Sequence, residues 1–282
     1  MKKSKLARLI AAICCFAMLL AACSSNQTPA ESGGDGSTTA DSEKKVLTYA
    51  IGAETTDLST LYMNNSLYCT SKLVYENLVD FDNGEIVPGL AESWEYNDDQ
   101  TELTFHLRQG VTFHNGEPFN AEAVKTNLEH KQSNPSFYSL KGITDIQEIE
   151  VVDEYTITLH YDHPFYAYLQ DFCWPDVNPM SAPEYIIPGD FQTISGVAGT
   201  GPYIYDEYVA GEYTRFVRNE DYWGETPYWD EIIVKYIPDS TSRLQALQTG
   251  EIDMIYGGTL LTYEEYDQAL AMDGIDGQMA EK

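Results

Sequence analysis

Leu103, Phe105 and Leu107 alternate with Thr104, His106 and Arg108, a period of two that predicts a half-buried strand. The strand runs on to Asn115-Gly116, a dipeptide suited to a tight turn, and then to Asn120, a good N-cap for a helix over Ala121–Leu128. Similar patterns recur along the chain. Val46–Gly52 reads as a first strand, with a helix over about Ser66–Leu78. Ile146–Val152 and Tyr155–Tyr161 flank Asp153-Glu154 as one hairpin, and Tyr203–Val209 and Glu212–Val217 flank Ala210-Gly211 as another. Ile232–Ile237 is a strand, followed by a helix over Ser240–Thr249 with Asp239 as its N-cap and Gly250 as its C′ residue, and then a strand over Ile252–Ile255. This last group is a βαβ unit, right-handed by default, and hairpins combined with such units indicate an α/β fold.

The first 45 residues follow neither period. Lys2, Lys3, Lys5 and Arg8 precede an apolar run from Leu9 to Ala22, too short for an ordinary transmembrane helix and the right length for a secretory signal. The run ends in Leu20-Ala21-Ala22-Cys23, which resembles a bacterial lipobox with Cys23 as the acylated first residue of the mature protein. An ordinary signal with an incidental cysteine is the alternative; the small residues at both positions before Cys23 argue against it. Residues 24–45 contain no aromatic or branched aliphatic side chain and cannot build a core. As a flexible coil they would span roughly 25 Å, so residues 23–45 read as a lipid-anchored disordered tether.

Removing residues 1–22 takes four positive charges from a net charge of −29 and leaves −33. So acidic a chain offers no basic patch for nucleic acid or for an anionic membrane surface; its contact with a membrane would be through the lipid alone. Of five cysteines, Cys14 and Cys15 leave with the signal and Cys23 takes the lipid. Cys69 and Cys173 remain, and nothing in their spacing brings them together, so two buried free thiols are preferred to a disulfide.

No constellation points to catalysis or to a cofactor. His160 and His163 lie three apart at a strand end and so face opposite ways, and His106 and His114 have no partner at ligand spacing. There is no HExxH, GxSxG or P-loop lysine, and Pro202 takes an amide from what could pass for a phosphate loop at Gly199-Thr200-Gly201. Twenty-one tyrosines and four tryptophans suit a solute pocket as well as a core.

Five phrases carry a resemblance, in order: PGLAESWE at 88–95, TELTFHLRQGVTFHNGEPFNAE at 101–122, GTGPY at 199–203, RNEDYWGETP at 218–227 and IPDSTSRLQALQTGEIDMIYG at 237–257. The chain resembles the N-terminal half of the solute-binding proteins of peptide- and nickel-type ABC transporters (bacterial extracellular solute-binding protein family 5), the phrases together covering most of Val46 to Gly258. That resemblance implies a two-lobed, periplasmic-binding-protein-like (type II) fold with an inserted subdomain. On this map 46–75 and 185–255 form the core of lobe I, 76–184 the inserted subdomain, and 256–282 the start of a lobe II that is largely missing. Family members are almost twice as long, so the chain reads as the front half of a gene.

The resemblance also implies function. The protein would be an exported lipoprotein, monomeric, that captures a small solute and hands it to the permease and ATPase of an importer, with no enzyme activity. Tyr62, Met63 and Tyr68 follow the first strand at its carboxyl end, where open α/β sheets bind ligands, and nickel-type relatives use this stretch for ligand contacts. Tyr222 and Trp223 are expected to be structural. Phe165–Pro183 looks most like the nickel-type branch, in which an arginine just after the equivalent of Pro175 grips a chelator's carboxylates. Here that position is Asp176, which would repel a polycarboxylate and favour an amine. Since peptides are the commonest substrates of the family it resembles, they are the preferred ligands, metal-chelate uptake is the alternative, and a sensory lipoprotein on the same fold is a further one.

The LAAC sequence generates the first prediction: radiolabelled palmitate enters the wild-type protein in cells and not a Cys23→Ala variant. Equal labelling of both would show that Cys23 carries no lipid.

Overall fold

The first strand of the fold lies second from one edge of a five-stranded sheet and is built around by segments from far along the chain. A computed structural model describes residues 44–55, 58, 70–164, 167–173, 178–190, 195–257 and 260–278, all within a unit spanning residues 43–282. The strands are β1 (Val46–Ile51), β2 (Val79–Asp82), β3 (Glu85–Pro88), β4 (Ala91–Tyr96), β5 (Glu102–Leu107), β6 (Ile146–Asp153), β7 (Thr156–Tyr161), β8 (Tyr203–Val209), β9 (Tyr213–Arg218), β10 (Glu231–Tyr236) and β11 (Met254–Ile255). The helices are α1 (Ser71–Val74), α2 (Ala121–Ser133), α3 (Lys141–Thr144), α4 (Ser240–Gln248) and α5 (Tyr263–Leu270).

The larger sheet has the order β11-β1-β10-β9-β8. β1 is parallel to β10 and to β11, while β8 and β9 form the expected hairpin and β9 pairs antiparallel with β10. The strand–helix–strand unit is present, with β1 lying between its two strands. Asp239 caps α4 by accepting from the Ser242 amide at 2.8 Å. One apolar cluster joins Tyr49 and Ile51 of β1 to Phe216, Ile232 and Val234 and to Val74 and Tyr75. A smaller one places Ala50 with Ala246 of α4 and Ile252.

The second sheet is antiparallel with order β4-β5-β7-β6. The period-two strand turned its apolar set inward: Leu103, Phe105 and Leu107 are buried with Ile157 and Leu159 and with Val124 and Leu128 of α2. Its polar set faces the other way, where the Thr104 and Thr158 hydroxyls meet at 2.8 Å. Asn120 caps α2 from the Ala123 amide at 3.0 Å, and the helix runs on past Leu128 to Ser133. The small β2–β3 hairpin packs beside this cluster through Val79 and Ile86.

Two elements differ from the sequence reading. The helix expected over 66–78 is limited, in its described part, to Ser71–Val74; residues 66–69 lie outside the described residues. From Tyr75 the backbone is extended (φ −118°, ψ 152°), because the Tyr75 hydroxyl donates to the Leu58 carbonyl at 2.7 Å and the Glu76 carbonyl accepts the Met180 amide at 2.9 Å. Tertiary bonds have overridden a weak local preference. The strand expected over 252–255 is reduced to Met254–Ile255. Asp253 still meets β1: its amide donates to the Thr48 carbonyl at 2.7 Å, while its carboxylate accepts the Thr48 amide at 2.8 Å in place of a backbone carbonyl.

Cys173 is a buried free thiol pushed up to about 11 by burial, while Cys69 lies outside the described residues. A more unusual buried group is Lys131 of α2. Its Nζ donates to Asn178 Oδ1 at 3.1 Å and to the Pro179 carbonyl at 2.7 Å, both neutral acceptors. One turn earlier, Asn127 bonds reciprocally with Ser181, accepting its amide at 2.9 Å and donating to its carbonyl at 2.8 Å. Together the two side chains pin residues 178–181 to the helix. Burial lowers the Lys131 ammonium to about 7.

An unfolded lysine titrates near 10.4, so between about pH 7 and 10 the unfolded chain binds a proton that the folded chain does not. Stability therefore rises with pH across that window, by up to about 1.4 kcal/mol per unit. In urea titrations at pH 7 and pH 9, the wild type should gain clearly more stability than Lys131→Met. An equal gain in both would mean that Lys131 is charged or solvated in the fold.

Candidate functional site

Two of the phrases singled out in the sequence converge on one carboxylate, and a third packs beside them through Arg108. Glu76 follows α1 in the segment Leu73-Val74-Tyr75-Glu76-Asn77-Leu78, where its apolar neighbours are drawn into the two large clusters and carry it inward. It accepts from Thr200 Oγ1 at 2.8 Å and Trp223 Nε1 at 2.7 Å on one oxygen, and from the Tyr222 hydroxyl at 2.8 Å on the other. Thr200 is fully buried. The Arg108 guanidinium lies 4.2 Å over the Trp223 ring and donates to the Gly89 carbonyl at 3.3 Å, which ties β5 into the same junction.

The loop at 199–202 is gripped from every side. The His114 amide donates to the Gly199 carbonyl at 2.8 Å, and the His114 ring meets the Gly201 carbonyl at 2.9 Å. Asn219 Nδ2 also donates to Gly201, at 3.1 Å, and the Asn219 amide reaches Pro202 at 2.9 Å. The Gly201 amide in turn donates to Val74 at 2.9 Å. A Cβ on Gly199 would sit 2.0 Å from the Val74 carbonyl oxygen and one on Gly201 2.7 Å from its carbon. Only glycine allows this approach.

The electrostatics follow from burial. Desolvation raises Glu76 above its ordinary 4.5, against the three hydrogen bonds that favour the ionised form. Tyr222 is pushed well up by the same burial and by the Glu76 charge beside it. His114 is lowered by burial, which favours a neutral imidazole whose Nε2–H donates to Gly201. With three donors on two oxygens, Glu76 is occupied by the protein's own groups. Such an arrangement suits a joint that fixes three segments, and not proton exchange with a ligand.

Cys23, Tyr62, Met63, Tyr68 and Asp176 all lie outside the described residues. Leu58 and Thr70 flank the stretch holding the first three contacts, and Cys173 and Asn178 flank Asp176. Tyr222 and Trp223 take the structural part expected of them. His160 sits on the outer sheet face between Glu150, at 3.0 Å, and Glu102, at 3.5 Å. His106 faces Glu95 at 3.5 Å, and His163 contacts Asp162. Among the described residues, no group of three or more His, Cys, Asp or Glu could hold a metal ion, and no helix is long and apolar enough to cross a membrane. Sequence reading passed over Glu76, although an acidic residue inside an otherwise apolar run was a signal that it is held by something.

Two sheets joined in this way define an α/β chain of the periplasmic-binding-protein class, and the solved structures it resembles are two-lobed binders. NikA from Brucella suis in complex with Fe(III)-EDTA superimposes with a TM-score of 0.74 and 32% identity, over 80% of this chain and 46% of that one. DppA from Helicobacter pylori in complex with the peptide STSA gives 0.69 and 27%, over 82% and 49%. The Nickel-binding periplasmic protein of Escherichia coli K12 is 36% identical over 205 residues, 70% of this chain and 38% of that protein. Residues 85–279 match the bacterial extracellular solute-binding proteins, family 5, and the chain belongs to that family. It spans about two-fifths of the length of the curated relatives it matches.

If Glu76 is the joint, its loss leaves three donors without their acceptor. Glu76→Ala should cost about 3–5 kcal/mol of stability by urea denaturation, and Glu76→Gln less, since an amide oxygen still accepts. The raised pKa also fixes a sign: the contribution is full below the ordinary 4.5 and is lost as pH rises through the folded value. Glu76→Gln should therefore flatten the loss of stability above pH 4.5. A loss under about 1 kcal/mol for Glu76→Ala would mean that water replaces the carboxylate freely.

Proposed function

We propose that this chain is the lipid-anchored solute-binding component of an ABC importer, capturing dipeptides or oligopeptides outside the cytoplasmic membrane and delivering them to the permease. The observation that carries this reading is the family match over residues 85–279. In this reading residues 1–22 are the signal, Cys23 holds the lipid and residues 24–45 are the tether. Residues 46–75 and 185–255 form the core of one lobe, 76–184 an inserted subdomain, and 256–282 begin a second lobe. Tyr62, Met63 and Tyr68 offer aromatic and thioether contact to the ligand, and Asp176 pairs with an amine. The role is binding and release.

A second reading, uptake of a metal chelate, is favoured by the 36% identity with the Nickel-binding periplasmic protein and by the likeness to NikA in complex with Fe(III)-EDTA. Against it stands the negative charge of Asp176, which disfavours a polycarboxylate chelator.

Calorimetric titration of the 282-residue chain with mixed di- to pentapeptides and, in parallel, with Fe(III)-EDTA and a nickel–histidine complex separates the two. Peptides should bind more weakly than about 1 μM, or about −8 kcal/mol, because much of the affinity of a two-lobed binder comes from enclosing the ligand between both walls. The chelates should give no heat. Chelate binding without peptide binding would reverse the choice of ligand, and tight peptide binding would show that one wall suffices.

A further inference from the structure

Lys44 and Lys45, the last two residues before β1, are held far more closely than residues at the edge of a fold need to be. The Lys45 carbonyl accepts the Asp230 amide at 2.8 Å and the Glu231 amide at 3.3 Å. In return the Lys45 amide donates to Asp230 Oδ2 at 2.7 Å. The Lys45 ammonium lies 4.1 Å over the Tyr228 ring, and the Lys44 ammonium contacts the Glu231 carboxylate. Asp230 is braced in its turn, since its other oxygen accepts from Arg218 of β9. The Lys45 amide is the leading cause that holds the Asp230 carboxyl below its ordinary value, ahead of the Arg218 charge. Five contacts thus gather on two residues, ahead of the first ladder pair Val46–Glu231.

We propose that Lys44 and Lys45 form a clamp that transfers a pull on the preceding chain from β1 to β10 and β9. The proposal rests on the tether reading of residues 24–45, since a clamp of this kind matters where an anchored chain is tugged. Its physical logic is geometric. β1 is flanked by β10 and β11 and carries the sheet's shortest strand on one side, so peeling it from its amino end would open the sheet at its weakest pair. A pull must first break the reciprocal Lys45–Asp230 bonds, the Lys44–Glu231 pair and the stacking on Tyr228. A single exposed ion pair contributes little; here the two charged contacts reinforce a backbone-paired segment and act together.

The test uses the purified protein in detergent and a protease that cuts after glutamate. Glu31 and Glu43 both lie in the stretch before the fold, and Glu43 directly precedes the clamp. In the wild type, cleavage after Glu43 should be at least about tenfold slower than after Glu31, because a protease needs several residues on each side of the bond to detach. Tyr228→Ala removes an exposed ring and Asp230→Asn keeps the shape while removing the charge; each should bring the two rates to within about threefold, with the melting temperature followed alongside. If Asp230→Asn fails to fold, Tyr228→Ala decides. Equal rates at the two sites in the wild type, or an unchanged ratio in the folded variants, would overturn the clamp. Resistance at Glu31 would contradict the tether reading instead, and the change at Glu43 between wild type and variant would still judge the clamp.

Discussion

A single half-buried carboxylate holds this structure's irregular parts in register. Glu76 lies between the two large apolar clusters: Val74 and Tyr75 before it belong to the five-stranded sheet's core, and Leu78 and Val79 after it belong to the four-stranded sheet's. Its three donors come from Thr200, Tyr222 and Trp223, two segments that have no regular secondary structure of their own at those positions. Sheets fix their own geometry through ladders, whereas loops must borrow a fixed point. The asymmetry of hydrogen bonding makes the fixed point effective, because each donor contributes modestly when paired and costs about 1–3 kcal/mol when left buried without a partner.

The same device appears twice more. Asn127 and Lys131, one helical turn apart, hold residues 178–181 against α2, through the backbone of Pro179 and Ser181 and the side chain of Asn178. Arg243 of α4, buried, donates to the carbonyls of Ile237 and Leu260 and so fastens the chain on either side of its helix. In these two cases a polar side chain on a helix satisfies backbone groups that no ladder reaches. A loop needs such fixed points wherever it carries a contact residue, since that residue is only as well placed as the segment that bears it.

Legibility in the sequence followed the same division. Strand β5, both long hairpins and the capped helices α2 and α4 were readable, because their signals are local: alternation, turn dipeptides and capping residues lie within a few positions of one another. Two elements failed for non-local reasons. Tyr75 and Glu76 look helical until Leu58, Met180 and Thr200 claim their polar groups, and the last strand shortens because Asp253 puts a carboxylate where a carbonyl was expected. The five motif phrases pointed to the family correctly, yet no pattern within them revealed that two of them meet at one residue. The ligand contacts read from the resemblance were of yet another kind, carried by segments outside the described residues, and remain proposals.

Hydrogen exchange followed by mass spectrometry on the wild type and Glu76→Ala bears most directly on the claim that one carboxylate holds these segments together. Peptides covering 74–78, 198–203 and 219–224 should lose protection together in the variant, while those in β5 and β7 keep theirs. Loss confined to 74–78, with the Thr200 and Trp223 segments as protected as before, would contradict it.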